Sequence, residues 1–173
     1  MKIALYLGSF NPFHKGHLEV IRTAIEDYGM VEIVIVPTMK NPWKKETPLN
    51  MDDRIEIIWE SLPTEILIYS TIDPIEEKLI PPYYSYATLH ALKNKYCNDE
   101  VFILCGEDTI NSIPDWMNGE QIIKDYDFLV CDRPKRGEYC ISSTYIRECI
   151  KLNKPIDGMV SDNVIGLIKK LYK

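Results

Sequence analysis

No two cysteines in this 173-residue sequence are spaced as Cys-x-x-Cys, and the five present, Cys97, Cys105, Cys131, Cys140 and Cys149, are odd in number. Neither a zinc knuckle nor a secreted disulfide framework follows from that spacing, so reduced thiols in a cytoplasmic protein are expected. No apolar run is long enough to cross a bilayer, and the stretch from Met1-Lys2 to Gly8 lacks the length and small-residue cleavage site of a signal peptide. Positive charge is in deficit: 20 Lys and Arg against 26 Asp and Glu leave a net charge of -6. That balance argues against non-specific binding to nucleic acid or to an anionic membrane, so an anionic ligand must meet a local basic cluster. Repeats, low-complexity tracts and an interdomain linker are missing, as are an evident Ser-His-Asp set, a paired-carboxylate site and a metal-ligand cluster. Residues 1–173 are expected to form a single domain, large enough to bury a core without disulfides or a structural metal.

What is present is an alternation. Five short apolar runs, Ile3 to Leu7, Glu32 to Val36, Glu65 to Tyr69, Val101 to Cys105 and Asp127 to Cys131, have the composition of buried strands. Between them lie helically spaced sets: Leu18, Ile21, Ile25 and Tyr28; Ile55, Ile58, Trp59 and Leu62; Leu89, Leu92 and Tyr96. Strands alternating with helices predict an α/β fold with a Rossmann-like, doubly wound, mainly parallel five-stranded sheet. Two C-terminal helices are expected over Ser142 to Asn153 and Asn163 to Tyr172, the second with Val164, Leu167, Ile168 and Leu171 on one stripe. The Pro-rich patches Pro37 to Pro48 and Pro74 to Pro82 read as loops. In such a sheet, ligands gather beyond the carboxyl ends of the strands at the switch point.

The first strand ends at Gly8 and the next helix begins near Gly16, so the loop between them presents backbone N–H groups and a helix start to an anion. His14 and His17 bracket that start and can donate to phosphate oxygens as charge builds in a transition state. A second helix start, Ser142-Ser143-Thr144, is followed about one turn later by Arg147, whose planar fork suits phosphate. Taken singly, a His or a Ser-Ser-Thr at a helix start serves as a cap.

Together these segments resemble a family. Gly8-Ser9-Phe10-Asn11-Pro12-Phe13-His14-Lys15-Gly16-His17 resembles the G-x-F-x-P-x-H-x-G-H signature of the HxGH nucleotidyltransferases, and Ile141 to Arg147 resembles their I-S-S-T-x-I-R. Within that superfamily the chain is most similar, over essentially its whole length, to nicotinate-nucleotide adenylyltransferases. Pro42-Trp43-Lys44 with Asp53-Arg54 resembles P-H-K and its downstream D-R, with Trp43 in place of His. Tyr84-Ser85-Tyr86-Ala87-Thr88-Leu89 resembles Y-T-x-D-T-L, with Ser85 for Thr and Ala87 for Asp. Leu104 to Asp108 followed by Trp116 resembles I-I-G-A-D with its later W, Glu107 standing for Ala. Asp132-Arg133-Pro134 and Val164 to Tyr172 resemble R-P-G and the family's tail.

The resemblance implies transfer of AMP from ATP to nicotinate mononucleotide, with His14, His17 and Arg147 as the catalytic set. Gly8, Ser9, Phe10, Lys44, Gly106, Asp108, Ser142, Ser143 and Thr144 would serve ATP and its phosphates. Tyr84, Ser85, Trp116 and Arg133 would serve the pyridine mononucleotide, Trp116 by stacking and Ser85 by offering donors at a helix start to a carboxylate. The attacking 5'-phosphate, with a second pKa of about 6, is largely ionised at neutral pH and needs no general base. Mg2+ would be held chiefly by phosphates and water, without a protein metal site. ATP and a pyridine mononucleotide are thus the expected partners, with no nucleic acid and no membrane, and a homo-oligomer is left open. Nicotinamide mononucleotide as acceptor is the alternative enzyme, and a catalytically inactive nucleotide-binding regulatory protein the alternative class; retention of His14, His17 and Arg147 speaks against the latter.

Overall fold

The computed structural model describes residues 1–39, 49–131 and 141–172. Five strands, β1 (Lys2–Gly8), β2 (Glu32–Pro37), β3 (Ser70–Ile72), β4 (Glu100–Cys105) and β5 (Asp127–Val130), form one sheet in the order β3-β2-β1-β4-β5. Every pairing is parallel, with Ile3 to Gly8 registered against Glu32 to Pro37 and Lys2 to Leu5 against Glu100 to Ile103. The expected α/β sheet is therefore present, and its direction of winding reverses between β1 and β4.

The three central strands are apolar on both faces because both faces are covered. Ala4 and Tyr6 of β1 join Ile33 and Ile35 of β2 in one cluster, while Ile3, Leu5, Val34 and Val36, one residue out of phase, join the other. The first face is covered by α1 (Lys15–Glu26) through Val20, Ile21 and Ala24, and by α2 (Met51–Ser61) through Ile57 and Ile58. α7 (Ser143–Lys151) and α8 (Ile165–Leu171) complete it, Val164 and Ile168 lying fully buried and Leu167 and Leu171 packed beside them as the stripe predicted. The second face is covered by α4 (Ser85–Lys95) through Leu89 and Leu92, by Ile113 after α5 (Glu107–Ser112), and by Ile122 of α6 (Gly119–Asp125).

The third strand departs from expectation. Glu65 to Tyr69 is not a strand: α3 (Thr64–Leu67) occupies most of it, and β3 follows at Ser70. Pro63 stops α2 and caps the new turn, its carbonyl accepting from the amides of Ile66 and Leu67 at 2.9 Å each. Only Ile66 of that apolar run is buried; Ile68 is 73% exposed. The actual strand hides behind hydroxyl residues, with Ser70 Oγ donating to Ile66 O at 2.9 Å and Thr71 Oγ1 to Glu32 Oε1 at 3.0 Å. Tyr28, expected on the α1 stripe, lies beyond the helix end and is exposed. The Pro74 to Pro82 loop contains a 3₁₀ turn, Ile75–Lys78. No helix among the described residues is long and apolar enough to cross a membrane.

Candidate active site

A cavity of about 350 Å³ opens at the carboxyl ends of β1, β2 and β4, beside the switch point of the sheet. Its first wall is the loop from Gly8 into α1. Phe10 takes a left-handed backbone, φ 43°, which turns its ring back over β1. A Cβ on Gly8 would stand 2.8 Å from that ring, and a Cβ on Gly16 would stand 3.0 Å from His14 Cε1. Both glycines therefore leave room for aromatic rings, a close-approach requirement that the motif spacing alone does not reveal.

His14 and His17 are 2% and 8% exposed and their rings stack at 3.7 Å between centroids. Phe10 meets His17 edge-on at 5.0 Å, Phe13 lies at 5.2 Å and Tyr6 at 6.1 Å. The His14 N–H donates to His17 Nδ1 at 3.2 Å. A neutral imidazole that accepts at Nδ1 carries its proton at Nε2, so the caged ring has both orientation and tautomer set to act as a donor.

The second wall comes from α7, more than a hundred residues away in sequence. Ser143 Oγ donates to Pro12 O at 2.8 Å and Arg147 Nη1 to Asn11 O at 2.7 Å, which fastens the two signature segments together. Arg147 Nη2 also reaches Thr144 Oγ1 at 3.3 Å, and Ser142 Oγ accepts from Tyr145 N at 3.1 Å as a helix cap. The hydroxyls of Ser142 and Ser143, expected to serve phosphate, thus also hold the loop and the helix start in place. All four residues still line the cavity, at a helix start whose amides of Ser143 and Thr144 have no intrahelical acceptor. Asn11 Oδ1 accepts from both the Leu49 amide and the Tyr172 hydroxyl, drawing α8 onto the same loop.

Two buried charges here gave no sequence signal of their role. Arg54, 1% exposed, had only its place in an Asp-Arg pair to mark it. It donates through Nη1 to Ser9 O and Thr38 O at 2.8 and 2.7 Å and through Nε to Leu49 O at 3.0 Å. Burial holds its pKa below the usual value, opposed by the fields of Tyr172, Glu76 and Glu77. Glu76, also 1% exposed and lining the cavity, sits in the Pro-rich patch with no periodicity to single it out. Burial pushes its carboxyl pKa up, against hydrogen bonds from Thr88 and Met39 and the charge of Arg54.

The remaining wall is more open. Tyr83, Tyr84, Ser85 and Trp116 line it and are all half-buried. Tyr84 caps α4, and Ser85 is its first residue. Trp116 packs on the second core cluster and also lines the cavity, so packing and ligand contact are both open to it. Gly106 caps α5 at the cavity, with Thr109, which the motif reading missed, one turn on. Asp108 is exposed and outside the cavity lining, as is Ala87. Burial beside Cys131 pushes the Cys105 thiol up to about 11, so it lines the cavity as an unreactive group. Among the described residues, Cys97, Cys105, Cys131 and Cys149 are free thiols.

Comparison with known proteins gives this cavity its context. The cytidylyltransferase-like family matches residues 5–149. A Flavobacterium johnsoniae protein named "Probable nicotinate-nucleotide adenylyltransferase" is 36% identical, across 95% of this chain and 94% of its own. The chain belongs to the nicotinate-nucleotide adenylyltransferase family. The Bacillus subtilis nicotinate-nucleotide adenylyltransferase is 28% identical, across 94% of this chain and 93% of its own. The fold is shared with the Plasmodium falciparum nicotinic acid mononucleotide adenylyltransferase complexed with NaAD, at a TM-score of 0.76 and 19% identity over 99% of this chain and 97% of that one.

In this member of the family, the structure brings His14, His17, Gly8, Ser9, Phe10, Gly106, Ser142, Ser143, Thr144, Arg147, Tyr84, Ser85 and Trp116 to one cavity. Asp108 is left outside it, exposed together with Glu107 at the start of α5. Lys44 and Arg133, with the departure at Trp43, lie outside the described residues.

Proposed function

We propose that this protein transfers AMP from ATP to nicotinate mononucleotide, giving nicotinate adenine dinucleotide and pyrophosphate as a step of NAD biosynthesis. The observation that carries the reading is the joining of the His14–His17 loop to Arg147 at the switch point of the sheet. A 5'-phosphate oxygen of the mononucleotide attacks the α-phosphorus of ATP, the bond to the bridging oxygen breaks, and pyrophosphate departs. His17 Nε2–H and the cation of Arg147 offset charge around the α-phosphate, while His14 and the first turn of α7 receive the leaving group. No proton has to be removed from the ionised nucleophile. Among the described residues, no group of three His, Cys, Asp or Glu could hold a metal. Mg2+, which neutralises and orients phosphate oxygens, is expected on the nucleotide with water completing its shell. Residues 1–173 act as one catalytic domain in the cytoplasm in this reading.

The acid form of the acceptor is favoured by the start of α4. Ser85, the first residue of α4, lines the cavity and carries a hydroxyl and an amide at the positive end of the helix, and Ala87 adds no acid there. A carboxylate accepts from such donors with charge assistance, whereas a carboxamide brings an N–H that needs an acceptor. The mismatch corresponds to about 1–3 kcal/mol, roughly ten- to a hundredfold in specificity. The test is incubation of the pure protein with ATP, Mg2+ and each mononucleotide, weighing the products and comparing kcat/KM. Equal values, or preference for the amide, overturn the acid assignment; no dinucleotide from either overturns adenylyl transfer.

A further inference from the structure

The peptide group joining Thr38 to Met39, directly after β2, is held at both ends by buried charge. Its carbonyl accepts from Arg54 Nη1 at 2.7 Å, and its N–H donates to Glu76 Oε2 at 2.6 Å. The guanidinium therefore faces the negative end of the peptide dipole and the carboxylate its positive end. The chain of bonds continues both ways. Arg54 Nη1 also donates to Ser9 O at 2.8 Å, in the loop after β1, while Glu76 Oε1 accepts from Thr88 Oγ1 at 2.6 Å, on α4. Ser9, Thr38, Glu76 and Ser85 all line the cavity, so this chain runs from its phosphate wall to its acceptor wall.

Hydrogen bonding alone does not call for an acid at this position. A glutamine could accept from Met39 N and donate to Thr88 Oγ1, whose own hydroxyl could turn to Tyr84 O at 3.4 Å. What a carboxylate adds is charge opposite Arg54 across one peptide, in a site where burying an acid is costly.

We infer that Glu76 is a positioning residue for adenylyl transfer: through the Thr38–Met39 peptide and Thr88 it holds the phosphate loop in register with the start of α4, keeping nucleophile and α-phosphate in line. The inference rests on the function proposed above.

The experiment is steady-state kinetics with ATP, Mg2+ and nicotinate mononucleotide on wild type, Glu76→Gln, Thr88→Val and Thr88→Ser. Rates are normalised to ATP-binding stoichiometry, so a partly unfolded sample does not imitate the effect. Misplacing reacting groups by about 1 Å costs up to a hundredfold, so kcat is expected to fall about tenfold in Glu76→Gln and Thr88→Val. Both KM values should stay within about threefold, since each substrate keeps its own contacts. Thr88→Ser keeps the hydroxyl and should retain the wild-type rate. Normal kcat in Glu76→Gln and Thr88→Val, a loss confined to one KM, or Thr88→Ser as impaired as Thr88→Val each overturns the role. An active wild type with unaltered variants refutes positioning alone; a wild type that makes no dinucleotide refutes the functional reading and this role with it.

Discussion

On the phosphate side of the cavity, His14 and His17 are nearly sealed and stacked on one another, and His17 is caged by Tyr6, Phe10 and Phe13. On the acceptor side, Tyr83, Tyr84, Ser85 and Trp116 are half-buried, and Met117 beside them is 48% exposed. The contrast follows the demands on each. Stabilising charge in a transition state requires donors that are already oriented, because any reorganisation at the moment of reaction raises the barrier. Receiving a planar ring and a carboxylate requires surface and a helix start, which tolerate exposure and adjustment. Rates should therefore depend on the sealed side and substrate affinity on the open one.

His17→Asn should break the sealed side most severely. Its side-chain oxygen can still accept from His14 N–H, yet the Nε2 donor is gone, so kcat should drop by about 10²–10³, roughly 3 kcal/mol. Stopped-flow product formation reads the rate and a thermal melt reads the fold; a variant with wild-type turnover would dissolve the distinction between the sides.

Arg147→Lys tests whether the fastening of the two signatures matters beyond its charge. A lysine cannot reach Asn11 O and Thr144 Oγ1 together in the geometry of the guanidinium fork. Losing a charge-assisted bond of about 1.5 kcal/mol predicts roughly tenfold lower kcat/KM for ATP. Unchanged ATP kinetics would mean that charge alone suffices.

The mildest prediction concerns the open side. Trp116→Ala removes a stacking surface worth about 0.5–1.5 kcal/mol, so the mononucleotide KM should rise roughly two- to tenfold. The KM for ATP should hold. An equal rise in both would show that Trp116 acts through packing on the second core cluster.

Much of this was open to a reader of the residues. The Gly8 to His17 and Ile141 to Arg147 segments are local patterns whose backbone requirements, a strand end, tight turns and helix starts, are written in neighbouring residues, and they lie where expected. The third strand was misplaced because Ile66 to Tyr69 is an apolar run too short to separate helix from strand, while Ser70 and Thr71 conceal the real one. The bond from Ser143 to Pro12 O left no trace in the residues, because a hydroxyl at a helix start looks the same with or without a distant carbonyl to meet.

By itself, then, the sequence determined the alternation of elements and the two signature segments, because each depends on residues a few positions apart. Only the tertiary structure decided that Arg147 is fastened to Asn11, that Asp108 faces solvent, and that Arg54 and Glu76 grip one peptide group between them. Those partners lie 16 to 136 residues apart. Packing the sheet and its helices brings such groups within hydrogen-bonding distance, and no local spacing rule records which carbonyl a buried charge will meet.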